Sequence, residues 1–156
     1  MYAEGTGRYQ ALTREDSHQI QRIMNVVLRS LTKLSKDTPI RVLLESSGFL
    51  SFHQICAYFT INTAHRIIQN KEPTRLYQAL LEHKPTAERP RRQEFSQSRY
   101  KLSISRESFV YQAAKLYYSL PELIQNLENP EIFKKKARMW ASTNIHIYMY
   151  IYSLIL

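Results

Sequence analysis

Glycine is scarce in this chain. Of 156 residues only Gly5, Gly7 and Gly48 are glycine, and that spacing leaves no glycine-rich loop able to cradle a phosphate. Aspartate is scarcer still, with Asp16 and Asp37 alone, both at expected helix boundaries where capping is their ordinary use. A two-metal polymerase or nuclease centre needs clustered carboxylates, so these two do not support one. Cys56 is the single cysteine. It excludes an intrachain disulfide and a CxxC metal site, and it fits a reducing intracellular setting, nucleus or cytoplasm. Long apolar runs are also missing. The longest, IHIYMYIYSLIL over Ile145 to Leu156, falls short of the roughly 20 residues a helix needs to cross a bilayer, and MYAEGTGRYQ has no apolar signal-peptide core. No membrane span is expected.

What is present points to helix. Leu, Ile, Gln, Arg and Lys are abundant, and apolar residues recur at helical spacing. From Thr13, a candidate cap, Ile20, Ile23, Met24, Val27, Leu28, Leu31 and Leu34 form one apolar stripe, read as the buried face of a first helix. Thr38-Pro39 reads as a cap and first-turn proline for a short helix from Pro39 to Glu45, closed by Gly48. Ser51 caps a third helix, with Phe52, Ile55, Cys56, Phe59, Ile67 and Ile68 as its buried side and an end near Asn70. Thr74 to His83 is a fourth. Phe109, Ala113, Leu116, Tyr117 and Leu120 mark a fifth, Pro121 starts the chain afresh, and Asn129-Pro130-Glu131 opens a last helix with Phe133, Ala137 and Trp140 facing inward. The expected fold is all-α: one compact bundle of about five to six helices with one long basic loop.

The domain plan follows from composition. Residues 1–12 read as a flexible N-terminus, 13–83 as a helical subregion, 84–106 as the basic loop, 107–142 as a helical pair completing the same domain, and 143–156 as an apolar tail. The chain carries a formal charge of +9, from 22 Lys and Arg against 13 Asp and Glu, which favours polyanionic partners. The stretch Lys84 to Arg106 holds +5 of it: seven basic residues against Glu88 and Glu94.

In that stretch Arg89, Arg91, Arg92, Arg99, Lys101 and Arg106 interleave with Phe95 and Tyr100, a mix suited to neutralising phosphates and stacking on bases. A solvated loop without a ligand fits the charge equally well. Lys134, Lys135 and Lys136, with Arg138, fall on the outside of the last helix, where a solvated face is the ordinary reading. The tyrosines at 117, 118, 148, 150 and 152 read as core and tail packing before they read as a stacking platform. Neither catalytic groups nor metal ligands emerge. His53 and His65 lie twelve residues apart on one helix, which is not ligand spacing, and the five histidines read as structural or surface groups. His53 precedes Cys56 by three residues, close enough to meet on a helix, yet a small packing residue explains Cys56 without the missing third catalytic member.

The segment SFVYQAAKLYYSLP followed by FKKKARMW, Ser108 to Trp140, resembles the far C-terminal region of reverse transcriptase polyproteins of jockey-like non-LTR retrotransposons. Ser108, Phe109, Tyr111, Ala113, Ala114, Lys115, Leu116, Ser119, Leu120, Pro121, Ile124, Phe133 and Lys134 fall in the family's order. Upstream, Gln21-Arg22, Thr38-Pro39 and the turn Gly48 to Gln54 are similar to the preceding part of that region, and Arg99 stands near the arginine of its Thr-Arg stretch. The likeness spans most of residues 15 to 142. Tyr117-Tyr118 replaces the usual Trp-Asn pair, and Gln97-Ser98-Arg99 replaces Asn-Thr-Arg. The resemblance implies a region lying after the polymerase core, without its metal site and without an endonuclease.

The expectation is therefore a non-enzymatic helical domain, needing no cofactor, that binds RNA or DNA through Arg89, Arg91, Arg92, Arg99, Tyr100, Lys101 and Arg106, helped by Lys134, Lys135 and Lys136. The alternative is a domesticated interaction or regulatory module that self-associates or binds a protein partner through apolar helices and the tail Ile145 to Leu156.

Overall fold

The computed structural model describes residues 14–84 and 109–144. They form seven helices and no strand: α1 Arg14–Thr32, α2 Ile40–Ser47, α3 Phe52–Asn70, α4 Thr74–Glu82, α5 Phe109–Tyr118, α6 Glu122–Gln125 and α7 Pro130–Thr143. The all-α class is as expected. The count exceeds five to six, because the chain after Pro121 makes the four-residue α6 before Asn129 restarts it. The basic stretch after Lys84, its return to Phe109 and the tail after Asn144 lie outside the described residues, as does the proposed Thr13 cap.

α3 is the central helix, packed against α1, α4, α5 and α7, while α2 leans on α1, α4 on α5 and α6 on α7. Its start is specified locally. Ser51 is in extended conformation, its side chain accepts from the Gln54 backbone, and the Gln54 side chain accepts from the Ser51 backbone at 2.8 Å, a reciprocal capping box. α7 starts in the same spirit: Asn129 Oδ1 accepts from the backbone of Glu131 and Ile132, with Pro130 in the first turn. α2 departs from expectation by one position. Pro39 occupies its cap and makes no side-chain capping bond. Gly48 closes α2 at φ +66, the left-handed conformation glycine takes without a Cβ penalty.

The core is built where small residues let helices approach closely. Ala57, Ile61, Ala64 and Ile67 of α3 meet Ala113, Ala114, Leu116 and Tyr117 of α5, Phe133, Ala137 and Trp140 of α7, and Leu80 of α4. The buried side of α3 is therefore not the one expected. It runs through Ala57, Thr60, Ile61, Ala64, His65 and Ile67, while Phe59 is half exposed and Ile55 and Cys56 only partly covered. Four helices surround α3, so its apolar residues are spread around most of its circumference and the largest ones do not define one face.

α1 contradicts its expected face more sharply. Leu28 is buried, but with Ser17 and Asn25, while Ile23, Val26, Val27 and Leu31 are exposed. The polar side is turned inward because it has work there. Gln21 Oε1 accepts from the backbone N–H of Phe52 at the start of α3 (2.7 Å), and its amide donates to Asn25 Oδ1 (2.8 Å). Arg29 holds the turn into α2 by donating to the carbonyls of Ser35, Lys36 and Thr38.

Candidate functional site

Three places in the described fold carry chemistry. The first is the outer surface of α7. Successive helical residues turn by about 100°, so Lys134 and Lys136 lie roughly 200° apart and Lys135 points between them, away from the buried side of Phe133 and Ala137. The triplet fans around the helix and does not converge on one point. Lys134 pairs with Glu131 one turn earlier, Nζ to Oε1 2.7 Å, in an exposed contact of small worth. Arg138 donates to the Gly48 carbonyl at 3.1 Å, tying α7 to the end of α2. Lys135 and Lys136 are exposed and make no hydrogen bond or ion pair among the described residues.

The second place is the foot of the basic stretch. The described chain stops at Lys84 and resumes at Phe109, and the His83 and Tyr111 rings meet edge to face with centroids 6.2 Å apart. Both anchors of the stretch thus sit together where α4 packs on α5. Beside them an open cleft of about 400 Å³ is lined by Ile68, Gln69, Leu81, Lys84, Tyr117, Tyr118, Gln125, Asn126 and Glu128. The Tyr118 hydroxyl donates to the Leu80 carbonyl at 3.3 Å, and Gln125 donates to the Leu120 carbonyl at 2.6 Å, fixing two of its walls. Arg89, Arg91, Arg92, Arg99, Tyr100, Lys101 and Arg106 lie outside the described residues.

The third place went unrecognised as a cluster in the sequence. His65 is almost wholly buried, its ring stacked on Phe133 with centroids 3.5 Å apart and planes 5° apart. Its Nδ1 lies 3.4 Å from the Tyr117 hydroxyl, which donates to the Gln125 carbonyl at 3.1 Å. Nε2 is buried without a hydrogen-bond partner. Burial lowers the His65 pKa despite the opposing influence of the Leu127 backbone, and burial raises that of Tyr117 to about 12. The three residues come from α3, α5 and α7, so no spacing along the chain could have joined them. Elsewhere, burial pushes the Cys56 thiol up to about 11, leaving it protonated and a poor nucleophile at neutral pH. Among the described residues no group of three or more His, Cys, Asp or Glu is placed to hold a metal ion, and no helix is long and apolar enough to cross a membrane.

Comparison of the chain with protein-family models, curated proteins and solved structures found no match.

Proposed function

We propose that this chain is a non-catalytic helical domain that binds RNA or DNA through the stretch Lys84 to Arg106, acting as one long basic loop, and that it descends from the C-terminal region of a jockey-like retrotransposon reverse transcriptase. The observation that carries the reading is the concentration of +5 of the +9 charge in those 23 residues, held between two anchors, His83 and Tyr111, that touch on a folded helical body. Anchoring both ends lowers the entropy lost when the arginines line up along a phosphate backbone. The cleft at its foot offers side-chain amides and tyrosine edges to an unstacked base. Lys135 and Lys136 add positive potential from α7.

The test is fluorescence anisotropy with a mixed-sequence single-stranded RNA and its DNA counterpart over a range of salt. Each phosphate contact contributes about 0.7 to the slope of log affinity against log salt for single strands. Replacing Arg89, Arg91, Arg92 and Arg99 by glutamine should weaken binding and reduce that slope by about 3. Unchanged affinity and slope would reject the stretch as the contact.

A second reading, self-association or protein binding through apolar helices and the tail Ile145 to Leu156, draws its support from the exposed apolar side of α1.

A further inference from the structure

The open cleft where α3, α4 and α5 meet the turn after α6 has a committed floor and an uncommitted rim. Tyr118 donates its hydroxyl to the Leu80 carbonyl and Tyr117 donates its own to that of Gln125. The polar ends of both rings are thus tied to main chain, and with Ile68 and Leu81 the rings leave apolar surface in a cavity of about 400 Å³. Gln69, Lys84, Asn126 and Glu128 complete the lining. All four are exposed, and none of their side chains makes a hydrogen bond or ion pair among the described residues. One acid and one base cancel at this rim, so it has no net charge with which to hold a bare phosphate. It suits a neutral, flat ring that carries donors and acceptors on its edge, which describes a nucleobase. Lys84 is also the first residue of the basic stretch, so the cleft opens where that stretch leaves the described fold.

We propose that this cleft is a guanine-selective base site in which Glu128 chooses the base. The inference rests on the reading of Lys84 to Arg106 as the nucleic-acid contact and names the base that the bound strand presents. Guanine alone among the RNA bases carries two neighbouring donors on its Watson–Crick edge, N1–H and the 2-amino group, and a carboxylate accepts from both with its two oxygens. Guanine O6 then accepts an N–H from the Gln69 or Asn126 amide. Uracil offers one N–H flanked by two carbonyl oxygens, which a carboxylate repels. Adenine and cytosine place a ring acceptor beside their amino group, so each gives Glu128 one bond at most. The Lys84 ammonium faces the phosphate of the same nucleotide.

Fluorescence anisotropy on the full chain, with short oligouridine RNAs that differ only at one central position, tests this. The strand with a central guanosine should bind roughly fivefold to tenfold more tightly than those with adenosine, cytidine or uridine there, the low end of what a bidentate base contact discriminates. Glu128→Ala should bring all of them within about twofold of one another. The same variant should keep or slightly raise the affinity for the all-uridine strand, since a negative charge has left, with an unchanged salt slope and circular dichroism spectrum, since the side chain is exposed. A guanosine preference that survives Glu128→Ala overturns the site, and a preference for another base overturns the choice of guanine. Equal binding of every strand by the unaltered protein, with affinity and salt slope still falling in the four-arginine variant, overturns the cleft and leaves the basic stretch standing. Failure to bind any strand overturns both.

Discussion

The proton on His65 shows how a single buried side chain can set the stability of the whole fold against pH. The Tyr117 hydroxyl has one proton, and it goes to the Gln125 carbonyl. Its oxygen can then accept from His65 Nδ1, 3.4 Å away, while Nε2 is buried without a hydrogen-bond partner. A second proton there would put a cation against Phe133 in the core, so burial lowers the pKa; His53 is lowered too, by burial and then by nearby His18. The unfolded chain takes up these protons as pH falls below about 6.5, while the folded chain resists them until its own lower pKa values are reached. Stability is thus full above that pH and declines below it, by at most about 1.4 kcal/mol per pH unit for each histidine. Urea denaturation between about pH 7 and pH 5 should show the decline. His65→Phe should stay within about 1.5 kcal/mol of the parent near pH 7, since it keeps the ring stack and removes an unpaired group, and its decline should be shallower. An unaltered decline in that variant would assign the effect to His53 and leave His65 with no part in it.

At the level of elements, the start of α3 is the junction on which the arrangement depends. Ser51 and Gln54 cap each other, Gln21 of α1 takes the N–H of Phe52, and the Gln54 amide donates to the Ser142 carbonyl near the end of α7 at 3.2 Å. One glutamine thus joins the N-terminus of the central helix to the C-terminus of the last. Ser51→Ala should cost about 1 kcal/mol, the usual worth of a cap. Gln54→Ala should cost about 2 kcal/mol, because it also leaves a backbone N–H and the Ser142 carbonyl unpaired in a partly buried place. Denaturant midpoints at equal slope decide this, and equal losses would mean that the bond to α7 contributes nothing. The same junction shows what could be read ahead of the structure. Ser51 is three residues from its partner, so the cap was legible, as were Asn129 and the left-handed Gly48. Gln21 lies 31 residues from Phe52, and Gln54 lies 88 from Ser142, so neither bond leaves a local trace. Without them, counting apolar residues centred the buried face of α1 about a quarter turn away, on Ile23, Val27 and Leu31 instead of beside Leu28, and Phe59 was placed in a core it does not join.

For the molecule as a whole, charge and packing divide the labour between segments. The helical class and the inward side of α7 followed from spacing because Phe133, Ala137 and Trp140 form one row. The lysines beside them were legible as exposed, but their divergence matters more for binding than their number. A strand lying along α7 can meet Lys135 and one flank; it cannot meet Lys134 and Lys136 together, since about 200° of helix separates them, and Lys134 already has Glu131 at 2.7 Å. Replacing all three lysines by glutamine should therefore reduce the salt slope for single-stranded RNA by about 0.7 to 1.4, one or two contacts' worth, against about 3 for the four arginines. The fold should tolerate the change, because all three side chains are exposed and the lost pair with Glu131 is worth less than about 1 kcal/mol. A drop near 2 or more would show that the nucleic acid wraps α7, making this helix, and not the arginine stretch alone, the organising surface. A drop of about 2 here, with little change in the arginine variant, would move the principal contact onto α7.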